Sequence, residues 1–194
     1  TPAQSPWSMT IFVCLIVLTV LFLLPVMGVL LSSSKTTREI SLGELWSWPD
    51  AFYLGNYVEA LSNPAVQIYF INTLLITVPA TAVSIALGTL AGYVFSKLPF
   101  KGSNVLFLVI VSGMFFPPQV ILIPLFKLFN ALGLLDTLWP MIIVHTGLGI
   151  PICTLLMRNF FAGVPNALRE AAILEGSNEF QFLLKVALPL SLPA

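Results

Sequence analysis

Residues 71–95 read INTLLITVPATAVSIALGTLAGYVF, and no charged side chain interrupts them. About 20 such residues in a helix cover the roughly 30 Å of a bilayer's hydrocarbon core. Within the stretch, Ala80, Ser84, Gly88 and Gly92 recur every fourth position, which puts them on one helical face. Lipid tails are as apolar as a leucine side chain, so helices in a membrane associate by close packing, and small residues at this spacing permit it. The stretch reads as a membrane span carrying a helix-packing ridge.

Similar runs lie on either side. Residues 9–31, 105–126 and 138–157 are each apolar and span-sized. The predicted fold is all-α: one polytopic membrane helix bundle over 1–194, with about four spans at 9–31, 71–95, 105–126 and 138–157. Composition agrees, since 58% of the 194 residues are hydrophobic and 8% charged, where soluble domains carry about 25% charged residues. Mean hydropathy is +0.99. The run 9–31 is too long for a signal-peptide core and no basic residue precedes it, so it reads as a retained span. A further span is expected to start at Leu188. The formal net charge of zero gives no electrostatic reason to expect a nucleic-acid partner.

Four spans put the connections 96–104 and 158–186 on one side. That side carries Lys97, Lys101, Arg158, Arg169 and Lys185, against Lys35, Arg38 and Lys127 on the other. The positive-inside rule assigns the first side to the cytoplasm; Lys35 and Arg38, directly after the first span, pull the other way. The outer segment 32–70 holds Trp46, Trp48, Phe52, Tyr53 and Tyr57, rings suited to a membrane–water interface.

The third span contains Pro117-Pro118-Gln119 and Pro124, and the fourth contains His145, Thr146, Gly147, Gly149 and Pro151. Proline removes a backbone donor and crowds the preceding turn, so the third span should kink or break near mid-membrane. Irregular backbone at that depth is tolerated only where protein or a water-filled cavity covers it, which makes Asn72, Gln119 and His145 candidates for a substrate path. The plainer reading of His145 is a neutral imidazole bonded to a neighbouring helix. Asn72 and Gln119 can be satisfied in the same way.

Several chemistries are missing from the sequence. There is no GxxxxGK[ST] phosphate loop. One histidine and two distant cysteines, Cys14 and Cys153, give no metal-ligand spacing. The spans hold no acid–base–nucleophile set. No catalytic residue, metal or cofactor is expected on this chain.

After the fourth span the character changes: residues 158–194 read RNFFAGVPNALREAAILEGSNEFQFLLKVALPLSLPA. Pro165 suits the first turn of a helix. Ala167 to Glu175 are good helix formers, with Leu168, Ala171 and Ala172 on one face. Gly176 is the expected end of that helix. Ser177 or Asn178 can cap a second, with Gln181 as the capping-box partner of Asn178, and that helix is expected to run to Pro189. The segment 158–189 is thus predicted to be a helix–turn–helix connection.

Glu170-Ala171-Ala172, three residues, Gly176, nine residues, Val186, one residue, then Leu188-Pro189: this spacing resembles the EAA loop of the permease subunits of binding-protein-dependent ABC importers. Val186 stands where that family favours isoleucine. Glu175 and Ser177 replace a common aspartate and alanine. Asn56-Tyr57, Asn72-Thr73, Phe100-Lys101-Gly102, Pro117-Pro118-Gln119 and residues 132–139 resemble the carbohydrate-type (maltose and glycerol-phosphate permease-like) branch.

The resemblance implies a six-span fold, of which this chain would be a C-terminally truncated part. It implies location in a bacterial or archaeal cytoplasmic (inner) membrane and transport of a carbohydrate. The implied partners are a second permease subunit, an extracytoplasmic substrate-binding protein and an ABC ATPase dimer, with ATP and Mg held by the ATPase. Glu170, Ala171, Ala172, Gly176, Leu188 and Pro189 would form the ATPase-docking element, a cytoplasmic coupling loop. Other function classes are a stand-alone secondary transporter or channel, disfavoured by the absence of charged pairs in the spans, and a non-conducting assembly subunit, which the proline breaks do not suit.

Overall fold

A computed structural model describes residues 6–44 and 46–191, and among them the secondary structure is entirely helical. The chain falls into two compact units, Thr1–Tyr69 and Phe70–Ala194.

The first unit holds α1 (Pro6–Ser33), α2 (Thr37–Ser41) and α3 (Gly55–Ser62). The stretch Met9–Ser33 is long and apolar enough to cross a membrane. One side chain ties off the end of α1 and the residues just after it: Asn56 Nδ2 donates to Ser33 O at 3.0 Å and Lys35 O at 2.7 Å. Thr36 and Glu39 form a reciprocal capping box that opens α2. The Glu39 carboxylate also accepts from the Asp50 amide at 2.9 Å. That backbone bond, then the bonds from Thr36, lower the Glu39 pKa to about 2. Lys35 is fully buried and donates to Glu44 O and, at 2.9 Å, to Ser47 Oγ. A buried charge without such partners would be costly. Trp46, Trp48 and Phe52 stay exposed on this polar framework.

The second unit takes most of α4 (Pro64–Lys97), then α5 (Ser103–Ser112), α6 (Pro118–Ala131), α7 (Trp139–Gly163), α8 (Asn166–Leu174) and α9 (Glu179–Phe182). The helices α4 and α7 are both of membrane-crossing length and composition, and they meet along the small-residue ridge. Ala80, Ser84, Gly88 and Gly92 are all buried. A Cβ on Gly88 would lie 2.3 Å from Cys153 Cβ, and one on Gly92 2.7 Å from the Arg158 amide nitrogen. On the opposite wall a Cβ on Gly149 would lie 2.5 Å from Ser84 Oγ, and that hydroxyl donates to Thr146 O at 3.0 Å. The contact therefore needs glycine from both helices.

The spans extend beyond their predicted limits: α4 begins at Pro64 rather than at 71, and α7 runs to Gly163 rather than 157. Hydropathy marks the apolar core of a helix, while its ends continue through polar residues. The third span breaks at its tandem prolines, as expected. Residues 105–126 are not one crossing helix: α5 ends at Ser112, a 3-10 turn covers Gly113–Phe115, and α6 leaves at 96° to the helix before it. At about 1.5 Å per residue, α5 is about 15 Å long, half a hydrocarbon core. Pro117 is extended, with φ −60° and ψ 126°, and Pro118 opens α6. A residue before proline is pushed out of the helical region, so tandem prolines end one helix and begin another rather than bending a single rod.

Candidate functional site

The segment after α7 is built from local signals. Pro165 is extended and stands one position before α8, as its N-cap rather than inside its first turn. Gly176 follows the C-cap of α8 with φ +91°, a conformation that suits glycine. Ser177 N donates to Ala172 O at 2.9 Å and Gly176 N to Ile173 O at 3.0 Å, the paired bonds of a Schellman ending. Asn178 and Gln181 then cap each other's backbone amides at 3.0 and 2.8 Å, starting α9.

The second helix departs from expectation. It is α-helical only from Glu179 to Phe182; Leu183–Ala187 forms a π turn, with Leu188 N bonding to Leu183 O at 2.9 Å, and Pro189–Ser191 a 3-10 turn. Pro189 has no amide hydrogen for the carbonyl four residues back, and its ring crowds that carbonyl. Local π and 3-10 turns re-satisfy the backbone groups that such a proline frees.

An apolar cluster holds the loop down. Tyr93 of α4, Phe161 of α7, Val164, Phe182, Leu183 and Ala187 are buried together, and Ala172, Val186 and Leu188 pack on them. The Tyr93 ring meets Phe161 edge-on at 5.6 Å and Phe182 at 6.3 Å. Polar bonds overlie this cluster. Tyr93 Oη donates to Glu179 Oε2 at 2.5 Å; Arg169 Nε reaches the same oxygen at 3.0 Å, and its terminal nitrogen pairs with the other carboxylate oxygen. The Arg169 hydrogen bond holds the Glu179 carboxyl below the usual carboxylate range, and Glu179 in turn raises Arg169. One turn along α4, Lys97 Nζ donates to Val164 O at 2.5 Å and Asn166 Oδ1 at 2.9 Å.

With its inner side fixed, α8 presents the other. Glu170 and Ala171 are exposed, as are Leu168, Ile173 and Glu175, and Leu174 is 87% exposed. Ala172 turns partly inward onto the cluster, Leu188 is half-buried there, and Pro189 is exposed. Local sequence gives Tyr93 and Glu179 no distinguishing mark, and Lys97 and Arg169 count there only toward membrane orientation. The clue is the i, i+4 pair Tyr93 and Lys97 at the end of an apolar run.

The path candidates fall in different places. His145 lines a cleft of about 290 Å³ between α4 and α7, with Thr77, Ala80, Thr81, Ser84 and Gly149. It is exposed, and no hydrogen bond reaches it among the described residues. Asn72 is half-buried on α4, one turn before the cleft. Gln119 is exposed at the start of α6 and does not line the cleft. Among the described residues no group of histidine, cysteine or carboxylate side chains could hold a metal ion.

Residues 84–194 match the family described as binding-protein-dependent transport system inner membrane component. The chain is 32% identical to the osmoprotective compounds uptake permease protein GgtD of Synechocystis sp., over 96% of this chain and 65% of that one. It is 37% identical to the alpha-glucoside transport system permease protein AglG of Rhizobium meliloti, over 75% and 40%. It is 31% identical to the sulfoquinovosyl glycerol transport system permease protein SmoH of Agrobacterium fabrum, over 94% and 64%. The chain thus spans less than two thirds of the length of each of these relatives. Its fold superposes on a chain of a bacterial ABC transporter involved in the import of the acidic polysaccharide alginate, with a TM-score of 0.77 and 27% identity, covering 100% of this chain and 69% of that one.

Proposed function

The chain belongs to the binding-protein-dependent transport system inner membrane components, and from that premise we propose that it is a permease subunit of an ATP-driven carbohydrate importer. Two of its relatives are named for glycosides and the similar solved structure for import of a polysaccharide, which supports a carbohydrate as the class of cargo. ATP and Mg would be held by a separate ATPase pair, with a second permease subunit and an extracytoplasmic binding protein completing the assembly.

The observation that carries the reading is the outward side of α8. Leucine, isoleucine and alanine side chains are exposed there beside Glu170 and Glu175, while the inner side is pinned to α4 and α7. A short amphipathic helix that is rigidly mounted fits the helix-in-groove mode of docking. The exposed Ala171 would allow close approach, and Glu170 would meet a basic or amide group on the ATPase. ATP-driven closure of the ATPases would then move α8 and the helices attached to it, and bias the permease between two states.

Co-purification tests this. The permease, expressed with its partner subunits, should retain the ATPase. Glu170→Lys should weaken that retention about tenfold or more, about 1.4 kcal/mol, and leave the protein in the membrane. Equal retention of the ATPase by the Glu170→Lys protein overturns the docking assignment.

A further inference from the structure

Tyr93 and Lys97 lie one turn apart at the end of α4, and each reaches a different end of the α8 segment. Lys97 holds the approach to α8, through the Val164 carbonyl and the Asn166 side chain. Tyr93 holds the far side, through Glu179, which also carries Arg169 from within α8. The covalent route from α7 into α8 passes only through Val164 and Pro165. Its backbone alone would leave α8 free to swivel about that short link.

The geometry points to a latch: the Tyr93–Glu179–Arg169 network, with Lys97 opposite, fixes the orientation of α8 on α4, so that a force applied to α8 moves α4 with it. These are positioning residues. None of them lies on the outward side of α8, and Lys97 and Tyr93 are buried. Glu179 is the shared joint, because its two oxygens accept from helices on both sides: Tyr93 of α4, and Arg169 of α8. Removing its charge weakens both bonds at once, since hydrogen bonds to an ionised acceptor are the stronger kind.

The latch matters for transport only if α8 is the ATPase-docking element, so it rests on that reading, and the test separates the two. The assembled transporter, with its ATPase, second permease and binding protein, is reconstituted in liposomes, and uptake and ATP hydrolysis are measured together. Glu179→Gln and Tyr93→Phe should keep the ATPase bound and reduce solute moved per ATP hydrolysed about tenfold, within the range of couplings in one hydrogen-bond network. The Arg169→Glu, Glu179→Arg double variant restores an ion pair and should recover part of that ratio. Tyr93→Phe keeps the buried ring, so its failure to couple cannot be blamed on lost packing.

Hydrogen exchange on the solubilised permease without ATPase reads the latch independently. The amides of residues 171–177 should exchange about tenfold faster in Glu179→Gln. Unchanged exchange and an unchanged transport-to-hydrolysis ratio would overturn the latch. Loss of the docking reading would show instead as an unmutated protein that retains no ATPase while the exchange difference persists.

Discussion

The Tyr93 hydroxyl lies 2.5 Å from the Glu179 carboxylate, although 86 residues separate them. The distance is that of a hydrogen bond to a charged acceptor. It joins the last turns of a membrane-length helix to the loop that carries α8, whose outward side is exposed.

Close approach of α4 and α7 makes an uneven prediction for their glycines. Gly88→Ala places a methyl 2.3 Å from Cys153 Cβ and should destabilise the detergent-solubilised protein by about 1–3 kcal/mol, the cost of overpacking. Gly147→Ala on α7 meets nothing within 4 Å and should be neutral or slightly stabilising, since alanine is the better helix former. Thermal unfolding of the two variants side by side checks this; equal midpoints would contradict the packing described.

At the end of α8, Gly176→Pro loses twice. Proline cannot take the +91° φ found there, and it removes the amide that bonds Ile173 O. Uptake by the assembled transporter should be abolished while membrane insertion is kept. Normal uptake would show that the turn is dispensable.

Acid should loosen the first unit around Glu39. Glu39 has its folded pKa lowered from 4.5 to about 2. A lowered carboxylate contributes stability above its unfolded pKa and loses it as pH falls through the folded value. The capping box and the bond to Asp50 should therefore weaken between about pH 4.5 and 2. Exchange rates of the amides of Thr36 and Asp50 would report it, and Glu39→Gln should flatten that pH dependence. Rates that rise equally in both proteins would refute the assignment.

Asn56→Ala should cost about 1–3 kcal/mol, because it leaves the Ser33 and Lys35 carbonyls without their side-chain donor. Proteolytic nicking within 34–56 at a fixed protease dose would measure it; an unchanged nicking rate would mean that water replaces the amide.

Features that depend on neighbouring residues were legible in the sequence. Uncharged runs marked the long helices, Gly176 marked the end of α8, and Asn178 with Gln181 marked the start of α9. The tandem prolines announced a break, but not its 96° angle, because φ restrictions at two residues leave the direction of the following helix to packing. The network around Glu179 was hidden for another reason. A tyrosine in an apolar run looks like any other core ring, and nothing local says which distant carboxylate it will meet. The role of Lys97 was hidden too: it counted toward membrane orientation, yet its ammonium is buried against a carbonyl.

The π turn at Leu183–Ala187 changes how the residues after it should be compared. A regular helix advances about 100° per residue; a widened turn takes one extra residue to come round. Everything beyond Leu188 is therefore out of phase with Glu179–Phe182 by about that angle. A helical wheel drawn straight through 179–191 would group residues that face different directions. Substitution series across this stretch should be phased separately on each side of the turn, with Phe182 and Ala187, both buried, as the two inward reference points.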